Sequence, residues 1–140
     1  MIVLATSCTV KTDSREFIDG QYHVTFDEAD ATGWKAFLTL TVEQNKIIAV
    51  SFDYEGSGAN EGRLKSGDKA YNEAMLNATG TNPQMYLNAL ETSLLASEDP
   101  DSVSIVSGAT TSSKDFIRFA KEAIRAAKEG NSDPIIIKQP

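Results

Sequence analysis

The chain has 140 residues, 41% of them hydrophobic and 24% charged, which is the composition of one ordinary globular domain rather than of a disordered or fibrous chain. Its single cysteine excludes a disulfide-held scaffold. A formal net charge of −7 at pH 7, without a compensating stripe of Lys and Arg, argues against binding to nucleic acid and against docking to anionic lipid by charge.

A short apolar run at the N-terminus ends at Cys8 and is followed by the mostly polar residues 9–15. The run is far shorter than the roughly 20 apolar residues that cross a bilayer. It is similar to the end of a bacterial lipoprotein leader, in which the cysteine becomes the lipid-bearing residue. We therefore expect residues 1–16 to be a leader remnant and flexible linker with Cys8 lipidated. The alternative is a free thiol in a flexible tail.

Apolar side chains recur at every second position in two stretches, 22–26 and 34–42, which predicts β-strands. Gln44 and Asn45 supply a tight turn, and residues 47–54 return as a run rich in β-branched and aromatic side chains. Together these elements predict an antiparallel meander with one wetter face.

Residues 55–67 contain several glycines and few apolar side chains, so they are predicted to form a loop. Their glycine spacing fits neither a phosphate-binding loop nor a dinucleotide fingerprint. We interpret the loop as flexible surface; a lid over a ligand is the alternative.

Two helices are predicted after the loop. The first spans about residues 68–78 and ends at Gly80, a good C-terminal cap. The second begins with Asn82 as its cap and Pro83 at its first helical position, and it ends before Pro100.

Residues 102–106 are predicted to form a short strand that leads through a turn into a third helix. That helix has its apolar side chains at helical spacing, packs as a cover on the sheet and ends at Gly130. Residues 131–140 are expected to be a flexible tail, in which 135–137 either add an edge strand or stay in solvent. The domain proper is therefore assigned to residues 17–130.

The turn that opens the third helix consists of small and hydroxylated residues, 107–113. Unpaired N–H groups and the positive end of the helix dipole would favour a phosphate at Thr110 by about 0.3 to 1 kcal/mol. Gly108 would let the backbone approach such a group closely. Ser112 and Asp115 are predicted to form a loose capping pair that places the helix start just after Thr110. The alternative to an anion site is a plain capped helix.

The same turn resembles a known motif. Ser-Gly-Ala-Thr at 107–110, followed by Thr-Ser-Ser, resembles the attachment sequence of the FMN-binding domain family. Further similarities extend over roughly residues 17–130 and include the opening strand at 19–22 and the hairpin at 33–47. In and before the two predicted helices, the similar residues are Leu64–Asp68, Tyr71, Asn72, Met75, Pro83 and Tyr86. The fold that the resemblance implies is α+β, an antiparallel sheet with helices packed on it.

The resemblance also implies a function. In that family a flavin transferase esterifies the FMN phosphate to the last threonine of the motif, which here is Thr110. Members occur in membrane redox complexes and in surface lipoproteins of Gram-positive bacteria. We therefore expect an FMN-carrying lipoprotein on the extracytoplasmic face of the cell membrane, held there only by a lipid anchor. Since the flavin supplies the redox chemistry, an electron carrier is expected rather than an enzyme that turns over a substrate.

The partners implied by the resemblance are the flavin transferase, a membrane redox donor and a small-molecule or surface electron acceptor. The expected cofactor site includes the turn and Met75. Within the turn its residues are Ser107, Gly108, Ala109, Thr110, Thr111 and Ser112. If a flavin is present, we expect Lys65 near its polar edge; the alternative is a solvated residue that helps to cap the first helix. Four aromatic residues and Met75 could flank a flat ring or belong to the core; the aromatic ones are Trp34, Tyr54, Tyr71 and Tyr86.

One position departs from the family's motif. An aspartate usually stands six residues before the threonine, and this chain has Ser104 there. The departure favours an alternative function, a surface lipoprotein that binds FMN without a covalent bond or has lost the flavin.

Two other groups of polar residues are assigned no chemistry. His23 lies within a predicted strand and has no nucleophile motif beside it, which disfavours a hydrolase that uses Ser107 or Ser112. The acidic residues at 27–30 lack the spacing of a calcium loop and are interpreted as solvated surface.

Overall fold

The computed structural model describes residues 16–140 of the chain. Cys8 and nearly all of the predicted leader segment lie outside the described residues. Within residues 16–140, no helix combines the length and the apolar character needed to cross a membrane.

A four-stranded sheet forms one layer of the fold, with strand order β3-β2-β1-β4. Strands β1 (Gly20–Phe26), β2 (Trp34–Glu43) and β3 (Lys46–Gly56) pair antiparallel, as predicted. The fourth strand, β4 (Ile135–Ile137), pairs parallel with β1. The α+β class is therefore confirmed, but the prediction of a purely antiparallel sheet is wrong, because a helical crossover brings β4 in beside β1 in the same direction.

The alternation that predicted the strands matches the burial of their side chains. Along β2 every second residue from Trp34 to Val42 is buried, and in β1 Tyr22, Val24 and Phe26 are buried. The turn between β2 and β3 has positive φ at both Gln44 and Asn45, which is the two-residue hairpin geometry that follows the twist of the sheet.

Three helices follow the meander: α1 (Lys69–Thr79), α2 (Pro83–Ser97) and α3 (Thr110–Glu129). Short 3-10 helices lie at Gly58–Asn60, Lys65–Gly67 and Pro100–Ser102. The predicted ends are confirmed: Asn82 accepts a hydrogen bond from the Met85 N–H, and Gly80 and Gly130 adopt the left-handed conformation beyond α1 and α3.

Helices α2 and α3 pack on one face of the sheet, α2 against β3 and α3 against β1 and β2. Phe119 of α3 packs edge-on against Phe26 and Phe52, and Phe116 packs edge-on against Phe52. These aromatic contacts form the centre of the core, and the helix ends that lie beside it border the cavity described below.

The strand predicted at 102–106 does not form. Residues 100–102 are a 3-10 turn, capped by the Asp99 carboxylate, which accepts from the Asp101 N–H at 3.0 Å and the Ser102 hydroxyl at 2.8 Å. Farther on, the Val106 N–H donates to Ser113 Oγ at 2.9 Å. The Ser102 and Val103 N–H groups donate to the carbonyls of Asp99 and Pro100, so these groups and the Val106 N–H are not available to pair with a neighbouring strand.

The structure shows the conformation of two segments, 55–67 and 131–140, for which the sequence allowed alternatives. The loop at 55–67 is exposed along most of its length, but Gly56 N–H donates to the Arg63 carbonyl at 2.9 Å and Lys65 at its end is buried. In the segment 131–140 the edge strand β4 forms, and the Gln139 N–H donates to Asp27 Oδ1 at 2.8 Å.

Candidate functional site

A cavity of about 560 Å³ lies where the N-terminal end of α3 meets the sheet and the other two helices. This volume falls within the range of about 300 to 1,000 Å³ that is usual for small-molecule sites. Residues from β2, β3, α1, α2, the end of the 55–67 loop and the turn before α3 line it.

Aromatic side chains form much of its wall. Trp34 and Tyr54 project from adjacent strands, Tyr71 from α1 and Tyr86 from α2. Trp34, Tyr54 and Tyr86 are also buried in the core, so the same side chains pack in the core and line the cavity. Met75 of α1 lies against the core and lines the cavity beside them.

The turn before α3 forms the opposite wall. Ala109 stands at the N-cap position and has no side chain that could accept a hydrogen bond, and Thr110 begins the helix with an exposed side chain. Gly108 has φ +86°, and a Cβ there would lie 3.1 Å from Thr81 Cγ2 and 3.2 Å from the Thr79 carbonyl oxygen. Any other residue would be strained by this φ and crowded against the end of α1, so glycine suits the turn.

The predicted capping pair of Ser112 and Asp115 is wrong. It is Ser113, fully buried, that bonds the turn: its hydroxyl donates to the Ala109 carbonyl at 2.7 Å and accepts from the Val106 N–H. Ser112 instead turns into the cavity wall, where it accepts a 2.6 Å hydrogen bond from the Tyr54 hydroxyl. The two serines have different roles because Ser113 lies on the buried face of α3 and Ser112 on the side that faces the cavity.

Ser112 links two tyrosines. Its hydroxyl also lies 3.4 Å from the Tyr86 hydroxyl, so β3, α2 and α3 meet through three hydroxyl groups. Burial raises the pKa of Tyr86 to about 12, and it raises the pKa of Tyr54 as well. Both phenols are therefore neutral hydrogen-bonding groups at physiological pH rather than acids.

Lys65 lies in the wall between two aromatic rings and is 8% exposed. Its Nζ lies 4.4 Å from the centroid of the Tyr54 ring and 4.8 Å from that of Tyr71, both within cation–π range. Asn72 holds the backbone there, since its Nδ2 donates to the Lys65 carbonyl at 3.1 Å and to the Asp68 carbonyl at 2.8 Å.

Two carboxylates also line the cavity, Asp30 and Asp115. Burial alone would raise the pKa of Asp30, but hydrogen bonds from Thr32 and Trp34 and the charge of Lys65 outweigh it and lower that pKa. The pKa of Asp115 is raised by burial and by the charge of Asp30, against the opposing charge of Arg118. The site thus combines one cation with two carboxylates of unlike acidity.

The structure brings most of the predicted site residues together. Residues 108–112 of the turn, Lys65 and Met75 all line the cavity, whereas Ser107 is exposed outside its lining. Ser104 is exposed in the segment before the turn. The lining residues that sequence reasoning did not assign to a cofactor are Phe26, Asp30, Ala36, Asp115 and Gln139.

Different signals were available for these missed residues. Ala36 and Phe26 stand on the buried faces of predicted strands, and Asp115 follows the threonine turn by little more than one helical turn, so a helical projection could have placed it. Asp30 and Gln139 carry no such signal, because a loop and the C-terminal segment bring them to the site.

His23 takes no part in the site, as expected. Its ring stacks on Phe37 on the other face of the sheet, with centroids 6.0 Å apart, and its Nδ1 is hydrogen-bonded to Thr39 Oγ1 at 2.9 Å. Within residues 16–140 there is also no cluster of three His, Cys, Asp or Glu side chains that could hold a metal ion.

No family model matches the chain. Among curated proteins, it is 35% identical over 118 residues to the 15 kDa lipoprotein of Treponema pallidum (strain Nichols), an alignment that covers 84% of this chain and 82% of that protein. The chain belongs to the family of this 15 kDa lipoprotein.

Two solved structures share its fold. The crystal structure of a Clostridium perfringens protein, 31% identical, covers 89% of this chain and 99% of its own with a TM-score of 0.81. The solution structure of a Clostridium thermocellum protein, 22% identical, covers 78% of this chain and 91% of its own with a TM-score of 0.50 and is similar in fold alone.

Proposed function

We propose that this protein is a lipid-anchored electron carrier on the extracytoplasmic face of the cell membrane, with FMN esterified through its phosphate to Thr110. The observation that carries the proposal is the exposed Thr110 at the edge of a cavity of about 560 Å³ whose lining includes five aromatic side chains. FMN is proposed as the ligand because the turn at 107–113 resembles the attachment sequence of the FMN-binding domain family.

The cavity wall suits a flat aromatic ring system. Trp34, Tyr54, Tyr71 and Tyr86 supply ring surfaces, and Met75 adds a polarisable thioether beside them. The hydroxyls of Tyr54, Tyr86 and Ser112 and the ammonium of Lys65 give the few polar groups that orient a ligand in a mainly apolar site.

The turn suits a phosphate. No side chain caps α3, so backbone N–H groups of its first turn are free of intrahelical partners beside Thr110. Gly108 keeps that wall free of a side chain. These features supply the anion-binding geometry, and the Thr110 hydroxyl supplies the atom to which a phosphoester bond can form.

The carboxylates of the lining oppose the attraction that the turn offers to an anion and so weaken reversible binding. Asp30 and Asp115 share the lining with Lys65, so the three side chains carry a net negative charge when both acids are ionised. A dianionic phosphate would be attracted only weakly to such a site. An ester bond retains the ligand whatever its affinity.

FMN, when bound, supplies the one- and two-electron chemistry. The side chains of this protein would hold the ring, exclude part of the solvent and set the local charge. Transfer to partners requires no further catalytic group, which accords with a carrier that exchanges electrons with a membrane redox donor and a small-molecule or surface acceptor.

Lipid anchorage is proposed from the relative. That protein is named a lipoprotein and aligns with 84% of this chain. Cys8 stands after an apolar run and some ten residues before the first strand, so a lipid there would hold the domain close to the membrane surface.

Co-production with the family's flavin transferase tests the proposal. We expect yellow protein whose mass exceeds that of the polypeptide by one esterified FMN, located at Thr110 by peptide mass analysis. Thr110→Ala should remain colourless and unmodified, whereas the matched control Thr111→Ala should take up FMN as the wild type does. Unmodified wild-type protein would contradict covalent attachment.

The second candidate function is a surface lipoprotein that binds FMN reversibly or not at all, and Ser104 favours it because the family's motif has aspartate there. Titration of unmodified protein with FMN, followed by flavin fluorescence, separates the two forms. Quenching at micromolar FMN without a change in mass would support reversible binding. Ser104→Asp should raise the yield of esterified FMN if the missing aspartate limits the transferase.

A further inference from the structure

We propose that Lys65 is a redox-tuning residue: its ammonium faces the ring that the cavity holds and stabilises the negative charge which that ring gains on reduction. The inference rests on the proposed function, because it concerns the ligand assigned there. It adds a role for one side chain that attachment at Thr110 does not require.

Lys65 is buried without an ion pair to the described residues. The residue is 8% exposed, and its Nζ lies over the faces of two aromatic rings. Among residues 16–140, no carboxylate lies within ion-pair distance of its Nζ, and Nζ donates no hydrogen bond to them. Buried lysines are rare unless they are paired, so this ammonium lies where an anionic ligand atom would gain most.

The nearby carboxylates are bonded elsewhere. Asp30 accepts from the Thr32 hydroxyl at 2.6 Å and from the Trp34 N–H at 3.1 Å. Asp53 accepts from the Tyr54 N–H at 2.8 Å and bonds the Ser66 hydroxyl. Lys65 helps to lower the pKa of Asp30 through space, but it does not form an ion pair with it. The positive charge therefore remains available to the cavity.

The Tyr54 ring lies between Lys65 and the start of α3, where the phosphate is proposed to be attached. The ring face of Tyr54 lies under the Lys65 Nζ, while its hydroxyl bonds Ser112 in the first turn of α3. One tyrosine ring thus stands between the ammonium and the helix start. Lys65 is accordingly placed to act on a ring system rather than on a phosphate at Thr110.

The charge that the flavin ring gains on reduction determines how Lys65 should change the midpoint potential. Reduction of a flavin ring by two electrons with uptake of one proton leaves one negative charge on the ring, whereas the oxidised ring is neutral. The electrons come from the membrane redox donor, or from dithionite in the test below. A cation that faces the ring stabilises the reduced form selectively and so raises the midpoint potential.

The test uses protein loaded with FMN at Thr110 and compares midpoint potentials in dithionite titrations across a range of pH. Lys65→Met keeps most of the side-chain length without the charge and should shift the potential to more negative values. A tenfold loss of preference for the reduced form corresponds to about 30 mV for a two-electron couple. Lys65→Arg keeps the charge and should titrate close to the wild type.

Two further measurements sharpen the comparison. The exposed Lys69, at the start of α1, provides a matched control, and Lys69→Met should leave the potential unchanged. In the protein without FMN, circular dichroism of Lys65→Met should show the wild-type fold, because methionine can still pack against the two rings.

Equal midpoint potentials for Lys65→Met and the wild type would overturn the inference while leaving the proposed function intact. Failure of Lys65→Met to take up FMN, with Lys65→Arg loaded normally, would also overturn it, because Lys65 would then serve the oxidised ring. Absence of FMN from the wild-type protein is a different result, in which the proposed function fails and this inference fails with it.

Discussion

The Tyr54 hydroxyl donates a 2.6 Å hydrogen bond to Ser112 Oγ, and this bond joins strand β3 to the first turn of α3 across a span of 58 residues. It fixes the helix start against the sheet at the place where the cavity opens. Because both residues line the cavity, the bond couples the stability of the fold to the shape of the site.

Tyr54→Phe should lower the free energy of unfolding by about 1 kcal/mol, the usual cost of losing one intramolecular hydrogen bond. Urea denaturation measures this. Tyr71→Phe is the matched control, since the Tyr71 hydroxyl makes no hydrogen bond to the described residues, and its unfolding free energy should stay near that of the wild type. Equal losses in the two variants would contradict the assigned bond.

Gly108→Ala should destabilise the protein more than Gly62→Ala. Both glycines have φ above +80°, so each substitution costs about 1 to 2 kcal/mol for the left-handed conformation. A Cβ at Gly108 would also meet Thr81 and Thr79 at 3.1 to 3.2 Å, whereas a Cβ at Gly62 would meet no atom within 4 Å. Thermal unfolding of the two variants measures the difference, and equal effects would show that the turn can yield.

The substitution Glu91→Gln should raise the free energy of unfolding more at pH 7 than at pH 4. Burial, with the charge of Asp53, raises the pKa of Glu91, although the hydrogen bond from the Phe52 N–H opposes the rise. The folded state therefore binds the proton more tightly than the unfolded state, and stability falls as the pH rises from the unfolded pKa through the folded one. Glutamine keeps the acceptor and removes the charge.

The measurement is the unfolding free energy of both proteins as a function of pH. The difference between Glu91→Gln and the wild type should grow in favour of the variant as the pH rises from 4 to 7. A difference that stays constant with pH would contradict the raised pKa.

Met75→Trp should block ligand uptake while the fold persists. Met75 lines the cavity from α1 and is only partly buried, so a larger side chain there fills the cavity with little disturbance of the core. Leu76→Trp, the adjacent position, is the matched control because Leu76 is 41% exposed and lies outside the cavity lining. Esterified FMN should be lost in the first variant and retained in the second, and circular dichroism should show both folded.

Local patterns along the chain were sufficient to predict much of this fold. Alternation in β2, the turn at Gln44 and Asn45, the Asn82 cap and the glycine after α1 each depend on residues only a few positions apart. Such features follow from backbone sterics and from hydrogen bonds to near neighbours, which the sequence displays directly.

Other predictions were wrong because more than one group in the chain could bond the same backbone atoms. Both Ser112 and Ser113 could bond the turn, and only the packing of α3 placed Ser113 on its buried side. The segment 102–106 has strand-forming residues, yet its Ser102 N–H donates to the Asp99 carbonyl and its Val106 N–H to Ser113 Oγ. No local rule ranks these alternatives.

By itself, then, the sequence determined the strands of the meander, the helix ends and the threonine turn, because each depends on short-range contacts. Tertiary structure alone decided that β4 enters parallel to β1, that Asp30 reaches the cavity, and that Lys65 is buried against two aromatic rings. The reason is physical: burial and electrostatic environment arise from segments that are distant along the chain and meet only in the fold.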